Sequence, residues 1–266
     1  MVPSPKLDFI IAGVQKAGTT ALAAYLDQHP DVALPAAKEL HHFRYGYSAE
    51  KPPPKPDADL AAAFGAALGT KICGEATPAY LYWPHALELI ADHNPDVTLI
   101  LTLRHPVARA YSAWSMEVRR GRETLSFSDA IRSGRERVSR APGGVHMIFS
   151  YVERGFYSAQ IRRLLTLFPR GQVAFLRSDE IAAGRAALQS LLARLGAAPF
   201  AFEPIDHNVF PSSLAPEPGL AEDFAYLQDV FAEDLADLGG LTGLDVADWV
   251  AGPPPVEPLN ALDGAG

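Results

Sequence analysis

The chain is poor in cysteine and in positive charge, and it has no long apolar run. Each shortage closes off a class of protein. A single cysteine in 266 residues, Cys73, excludes an internal disulfide and a multi-cysteine metal site. It lies in an apolar stretch and reads as a buried structural thiol. Lys and Arg number 23 against 31 Asp and Glu, a formal charge of −8, which argues against general nucleic-acid binding. After Arg194 the chain contains no lysine or arginine. No stretch is long and apolar enough to span a bilayer, and the start, MVPSPKLDF, lacks the apolar segment of a signal peptide. The expectation is a soluble, cytoplasmic protein. What is present is globular in kind: hydrophobic content of 48% and charged content of 20%, in a chain long enough to bury one α/β core. No internal repeat is visible.

The stretch that organises the rest is Leu7–Thr20, LDFIIAGVQKAGTT. Leu7–Ala12 is a nearly unbroken apolar run, which suits a strand buried on both faces; a short buried helix gives the same pattern. Gly13 ends the run, and Gly18 permits a close approach of backbone to ligand. Thr19 and Thr20 are expected to cap a following helix whose apolar face is Leu22, Tyr25 and Leu26. Strand, glycine turn and helix start make an anion cradle, because unpaired N–H groups and the positive end of the helix dipole favour phosphate. The spacing is close to the P-loop GxxxxGK[ST]. Gly13, Gly18 and Thr20 fit, but Thr19 stands where the lysine belongs and the lysine lies in the turn, as Lys16.

Further along, Val32–Leu34, Lys71–Thr77, Val97–Leu103 and Gln172–Arg177 read as strands alternating with helices. That alternation implies a single-domain α/β fold over residues 1–252, a central parallel sheet flanked by helices, with the ligand at the strand C-termini; residues 253–266 read as a frayed tail. Asp57 is expected to cap a helix through Leu68, Pro84 to start one through His93, and Ser126 to cap Phe127–Val138. One long helix is expected over Ser150–Phe168, another over Ser178–Leu195, and one over Leu220–Leu238. Arg104 leaves the Val97–Leu103 strand, and Pro106 starts the next helix, with Arg109 and Ser112 along it. Arginine suits a terminal phosphate because its fork donates two bonds, and serine adds a hydroxyl donor. In Lys38–Phe43, KELHHF, Glu39 is a carboxylate able to take a proton if it is partly desolvated. His41-His42 lacks a carboxylate or cysteine at ligand spacing, so no metal is expected. Arg119–Arg140 reads first as a solvated, charged helix face and second as an acceptor contact.

These segments resemble the sulfotransferases that use 3′-phosphoadenosine 5′-phosphosulfate (PAPS), over roughly residues 7–177, with a weaker match to 249. QKAGTT resembles their 5′-phosphosulfate loop, KELHHF the KExHFF stretch of carbohydrate and heparan-type members, GEATPAYL their GExTPxYL, and LRHPVARAYSAW their LRxPxxRxxSxY. Residues 154–169 resemble (R/K)GxYxxQLxxWLxxFP, with Leu164 in place of the tryptophan. The resemblance implies a P-loop-like fold, PAPS as sulfuryl donor and 3′,5′-ADP as product, without a metal. It implies donor contacts from Gln15, Lys16, Ala17, Gly18, Thr19, Thr20, Arg104 and Ser112. Glu39 would deprotonate an acceptor hydroxyl, or an amine, while Lys16 stabilises the leaving phosphate. Lys38, His41, Glu75 and Tyr157 are the expected substrate contacts, with Glu75 equally able to support its loop. Some relatives carry lysine where Ala76 stands.

Two other readings compete: a P-loop kinase or NTPase, which would need the displaced lysine and a Mg²⁺-binding aspartate after a strand, and a non-catalytic PAPS binder, which would have no use for Glu39. The acceptor is expected to be a small molecule, lipid or saccharide. The stretch Phe202–Leu214, where relatives often place basic residues, offers Asp206, His207 and Asn208 instead, which favours a neutral or cationic acceptor.

Overall fold

The computed structural model describes residues 5–37, 39–183, 185–205 and 218–254. Expectations for Lys38, for Asp206–Leu214 and for the tail from residue 255 onward lie outside them. In chain order the elements are β1 (Phe9–Gly13), α1 (Thr19–Leu26), β2 (Val32–Ala33), α2 (Asp57–Phe64), β3 (Ile72–Ala76), α3 (Ala86–His93), β4 (Thr98–Leu103) and α4 (Pro106–Arg119). They continue as α5 (Phe127–Ile131), α6 (Glu136–Ser139), α7 (Tyr157–Leu167), β5 (Val173–Arg177), α8 (Ser178–Ala183), α9 (Arg185–Arg194), α10 (Leu220–Thr242) and α11 (Ala247–Ala251). The chain folds as two compact units: Met1–Leu103 with Arg162–Ile205, and Arg104–Ile161 with Asp206–Gly266.

The first unit is built on a five-stranded sheet in the order β2-β3-β1-β4-β5, every pair parallel. The expected parallel α/β sheet is therefore present. β1 is central and buried at all five positions, which is why its sequence is an unbroken apolar run rather than an alternation. Phe9 pairs with Gly74 on one side and Thr98 on the other. Gly74 is required there, because a Cβ would stand 2.3 Å from the Phe9 ring. Phe9 and Ile11 join Leu22, Tyr25 and Leu26 of α1 in one core cluster with Ile100, Leu176 and Phe202. Tyr25 meets Phe202 edge-on at 5.8 Å. Cys73 is buried, its thiol faces the Ala67 carbonyl at 3.4 Å, and burial pushes its pKa up.

Four helical expectations in this unit change. Pro84 does not start α3, which begins at Ala86 with His85 at its N-cap. Gly18, not a threonine, occupies the N-cap of α1, with no side-chain cap; Thr19 and Thr20 are already helical. Pro56 holds the corresponding place before α2, so Asp57 begins the helix instead of capping it, and α2 ends at Phe64 before a 3₁₀ turn. Ser178–Leu195 is two helices, α8 and α9.

In the second unit α4 starts as the proline predicts, with Pro106 in its first turn and His105 at the N-cap, its Nδ1 accepting from the Val107 N–H at 3.3 Å. Tyr111 and Trp114 of α4 pack with Phe127 and Phe224 into an aromatic core. Ser126 caps α5 as expected, accepting from the Asp129 N–H at 3.1 Å, but the helix breaks after Ile131. α7 begins at Tyr157, not Ser150, after a 3₁₀ turn at Glu153–Gly155. Among the described residues no helix is long and apolar enough to cross a membrane.

Candidate active site

The C-terminal end of β1 runs into the glycine turn. The Val14 N–H donates to the Thr102 carbonyl at 2.9 Å, tying the turn to β4, and the Ala17 N–H closes back on the Val14 carbonyl at 3.2 Å. Lys16 and Gly18 both take positive φ, 72° and 81°, so the loop curls tightly into the start of α1. Ala17 is buried, Gln15 and Lys16 are half-buried, and Gly18 and Thr20 are exposed. The first N–H groups of any helix lack intrahelical acceptors, so this turn presents donors at the end of the sheet.

Thr19 and Thr20 line an open cleft together with Glu39, Ala76 and Pro78. Of the expected donor contacts, Thr19 and Thr20 at the start of α1 thus share a cleft of the first unit with the candidate base Glu39. The Glu39 side chain is 35% exposed, so it is partly desolvated yet still reachable. His41 Nε2 faces its Oε2 at 3.5 Å. His41 Nδ1 accepts from Arg44 Nε at 3.2 Å, which places the proton of neutral His41 on Nε2, toward Glu39. Burial, then the Arg44 charge, holds the His41 pKa below its ordinary value, so the ring is neutral near pH 7. His41 is therefore a neighbour of the candidate base Glu39. His42 is buried against Phe43 and His93, and burial with the His93 charge takes its pKa to about 4.

Glu39 and His41 have φ of 55° and 51°, left-handed values that cost non-glycine residues of order 1–3 kcal/mol each. A buried polar group holds them. Glu75, in β3, is fully buried; its carboxyl accepts from Thr77 Oγ1 at 2.8 Å, from the Tyr80 hydroxyl and from the Leu40 N–H. The two hydroxyls in turn accept from the 39–43 segment: His41 N–H reaches Thr77 Oγ1 at 3.3 Å and Phe43 N–H reaches the Tyr80 hydroxyl at 3.2 Å. Lys55 Nζ donates to the His41 carbonyl at 2.6 Å. Of the two roles open to Glu75 in the sequence, the structure gives it support of this loop, since it has no exposed surface. Burial raises its pKa to about 7 against the opposing hydrogen bonds from Tyr80 and Thr77.

Arg104 is the first residue of the second unit, directly after β4. It is half-buried, and burial lowers its pKa. The Tyr157 hydroxyl donates to the Arg104 carbonyl at 2.8 Å. Tyr157 is fully buried, which corrects its expectation as a substrate contact: it fixes the backbone of Arg104. Arg109 is fully buried and donates to the Tyr151 carbonyl, a structural role. Ser112 lies on α4 and is 4% exposed. Gln160 donates to the Phe156 carbonyl at 2.6 Å, just before the start of its helix α7.

The arginines of Arg119–Arg140 pair mostly with carboxylates of their own unit. Arg137 makes two bonds to Glu123, at 3.0 and 2.8 Å, and Arg122 meets Glu117 at 2.6 Å. Arg135 meets Glu153 at 2.8 Å, and Arg132 meets Asp223. Sequence reasoning missed Thr77, Tyr80, Arg44 and Lys55 as supports of the Glu39 segment. The first two stood inside the quoted GEATPAYL; Lys55 stood in a proline-rich stretch that carried no signal of its partner.

A parallel sheet whose central strand ends in a strand–turn–helix anion cradle, beside a carboxylate-bearing cleft, defines a P-loop-like fold suited to transferring a charged group. The solved sulfotransferase from Alicyclobacillus acidocaldarius is 31% identical, with 92% of this chain and 98% of that one covered at a TM-score of 0.76. The chain belongs to the sulfotransferase family. Mouse heparan sulfate glucosamine 3-O-sulfotransferase 3B1 is 30% identical over 172 residues, 65% of this chain. The chain spans 41% of that relative's length. The sulfotransferase domain of the Synechococcus PCC 7002 olefin synthase, 14% identical at a TM-score of 0.50 over 82% of this chain and 83% of that one, shares the fold. No protein-family model matches the chain.

Proposed function

We propose that the protein transfers a sulfuryl group from PAPS to the hydroxyl of an acceptor, releasing 3′,5′-ADP. The observation that carries this reading is the cleft in which Glu39 faces the start of α1. A hydroxyl in that cleft would attack sulfur in line. The new bond is acceptor oxygen to sulfur; the bond that breaks joins sulfur to the bridging oxygen of the 5′-phosphate, which leaves with the electron pair. The acceptor proton goes to Glu39, whose side chain is 35% exposed and so within reach of an acceptor. Charge builds on the leaving phosphate, where Lys16 and the N–H groups of residues 15–20 would neutralise it; stabilisation of this kind is the main term in such transfers. Arg104 and Ser112 would hold the 3′-phosphate. A saccharide hydroxyl enters as one acceptor class through the heparan sulfate names among the relatives.

Thermal shift with 3′,5′-ADP, ATP–Mg²⁺ and no ligand tests the donor side, since a ligand that binds only the native state raises its melting temperature. Stabilisation by 3′,5′-ADP is expected; stabilisation by ATP–Mg²⁺ without it would overturn the reading in favour of a kinase or NTPase. Glu39→Gln is expected to keep the 3′,5′-ADP shift and lose most sulfate transfer from labelled PAPS, whereas wild-type turnover would give the proton to another group. Lys16→Ala should lower turnover by about 10²–10³-fold, the scale of one lost transition-state donor.

A further inference from the structure

The cleft that holds Glu39 also carries information about what it accepts. Its volume is about 170 Å³, below the roughly 300–1,000 Å³ of sites that enclose a drug-sized ligand. One wall is the outer face of α1, with Ala23, Ala24 and Asp27; the other is the segment from Leu34 to Ala37. These walls are short aliphatic side chains, apart from Asp27. Among the described residues lining the cleft there is no lysine or arginine, and the two ionisable groups are the carboxylates of Asp27 and Glu39. Asp27 sits at the C-cap of α1, where the helix dipole disfavours a negative side chain, so the helix itself gains nothing from it. Asp27 and Glu39 both belong to the first unit, one on α1 and one on the loop that Glu75 braces.

We infer that the acceptor is a small alcohol with an aliphatic body and no negative charge, its hydroxyl at Glu39 and its other end at Asp27, where an amine is preferred to a neutral group. This rests on the sulfuryl-transfer reading. An aliphatic body loses water against Ala23, Ala24 and Leu34, which favours it over a hydrated sugar. An anionic acceptor would bring its charge beside the two carboxylates of the described lining, Asp27 and Glu39. An amine at Asp27 gains one partly exposed ion pair, worth roughly two- to five-fold in kcat/KM.

The test uses labelled PAPS and a matched set of acceptors: an alkyl alcohol, the same chain ending in an amine, the same chain ending in a carboxylate, and a heparan-like polymer. The expected order is amine, neutral, then carboxylate and polymer far behind. Asp27→Asn is expected to bring the amine-to-neutral ratio toward one. Ala24→Trp, which fills the cleft, is expected to raise KM for the small alcohols while the 3′,5′-ADP thermal shift persists. Equal or better turnover of the carboxylate or the polymer overturns the inference. An amine-to-neutral ratio untouched by Asp27→Asn overturns it as well, and so does unchanged KM in a folded Ala24→Trp. Loss of the inference leaves 3′,5′-ADP binding and Glu39 dependence in place, whereas failure of the sulfuryl-transfer reading removes the 3′,5′-ADP shift from the wild type.

Discussion

Glu75 carries a titration that the folding equilibrium must feel. Its pKa is about 7 in the folded protein, against 4.5 for a solvated glutamate. Between those values the native state holds a proton that the unfolded chain has lost, so the contribution of this group is complete below about pH 4.5 and falls away as pH rises through 7. Glu75→Gln cannot lose that proton. Relative to wild type it should therefore gain stability between pH 5 and pH 8, by up to about 3 kcal/mol in urea melts; parallel profiles would show that Glu75 does not titrate there. The same variant keeps the shape of the side chain but changes what Leu40, Thr77 and Tyr80 meet, so a drop in turnover with normal 3′,5′-ADP binding is expected through displacement of Glu39. At Arg104, removing a desolvated, charge-assisted donor should weaken 3′,5′-ADP binding by roughly 1.5–3 kcal/mol. An unchanged titration for Arg104→Ala would remove it from the donor site.

Elements differ in how much of their origin is local. β1 and β4 announce themselves as apolar runs because both faces are covered, and α4 announces its start because Pro106 fits only a first turn. The start of α7 is not local. The N–H groups of Tyr157 and Ser158 are capped by the carboxylate of Asp234, at 2.9 and 3.0 Å, from a helix 76 and 77 residues further along. Just before it, Gly155 leaves no room for a Cβ, which would stand 2.6 Å from the Phe231 ring. Periodicity alone carried the predicted helix back to Ser150, since nothing near position 157 marks a stop. The candidate site divides in the same way: the turn at 13–20 was legible from spacing and Glu39 was singled out through the resemblance of KELHHF to a family stretch, whereas the brace from Glu75 depends on a strand that only the sheet brings beneath residue 40. Asp234→Ala should cost about 1–2 kcal/mol of stability, as for other lost caps, and loosen Tyr157 under Arg104. Gly74→Ala should cost at least the roughly 1–3 kcal/mol of an overpacked core, because the Phe9 ring has no room to give. Chemical denaturation reads both.

For the molecule as a whole, charge is the property that sets partners. The chain carries −8, and the arginines in its richest cluster are engaged by Glu117, Glu123, Glu153 and Asp223. A polyanion finds few unpaired cations there, and long-range repulsion adds to that. The protein should pass through a heparin column at about 0.15 M salt, where screening leaves only close contacts; retention would require a basic surface outside these pairs. The buried, pKa-raised thiol of Cys73 has a practical use. It is the chain's only cysteine and is closed to solvent, so it will not compete for maleimide dyes or spin labels in the folded protein. Any cysteine introduced at the surface becomes the single labelled position without first rebuilding the background. An Ala24→Cys label would then report directly, by fluorescence or electron resonance, on whether the cleft is filled.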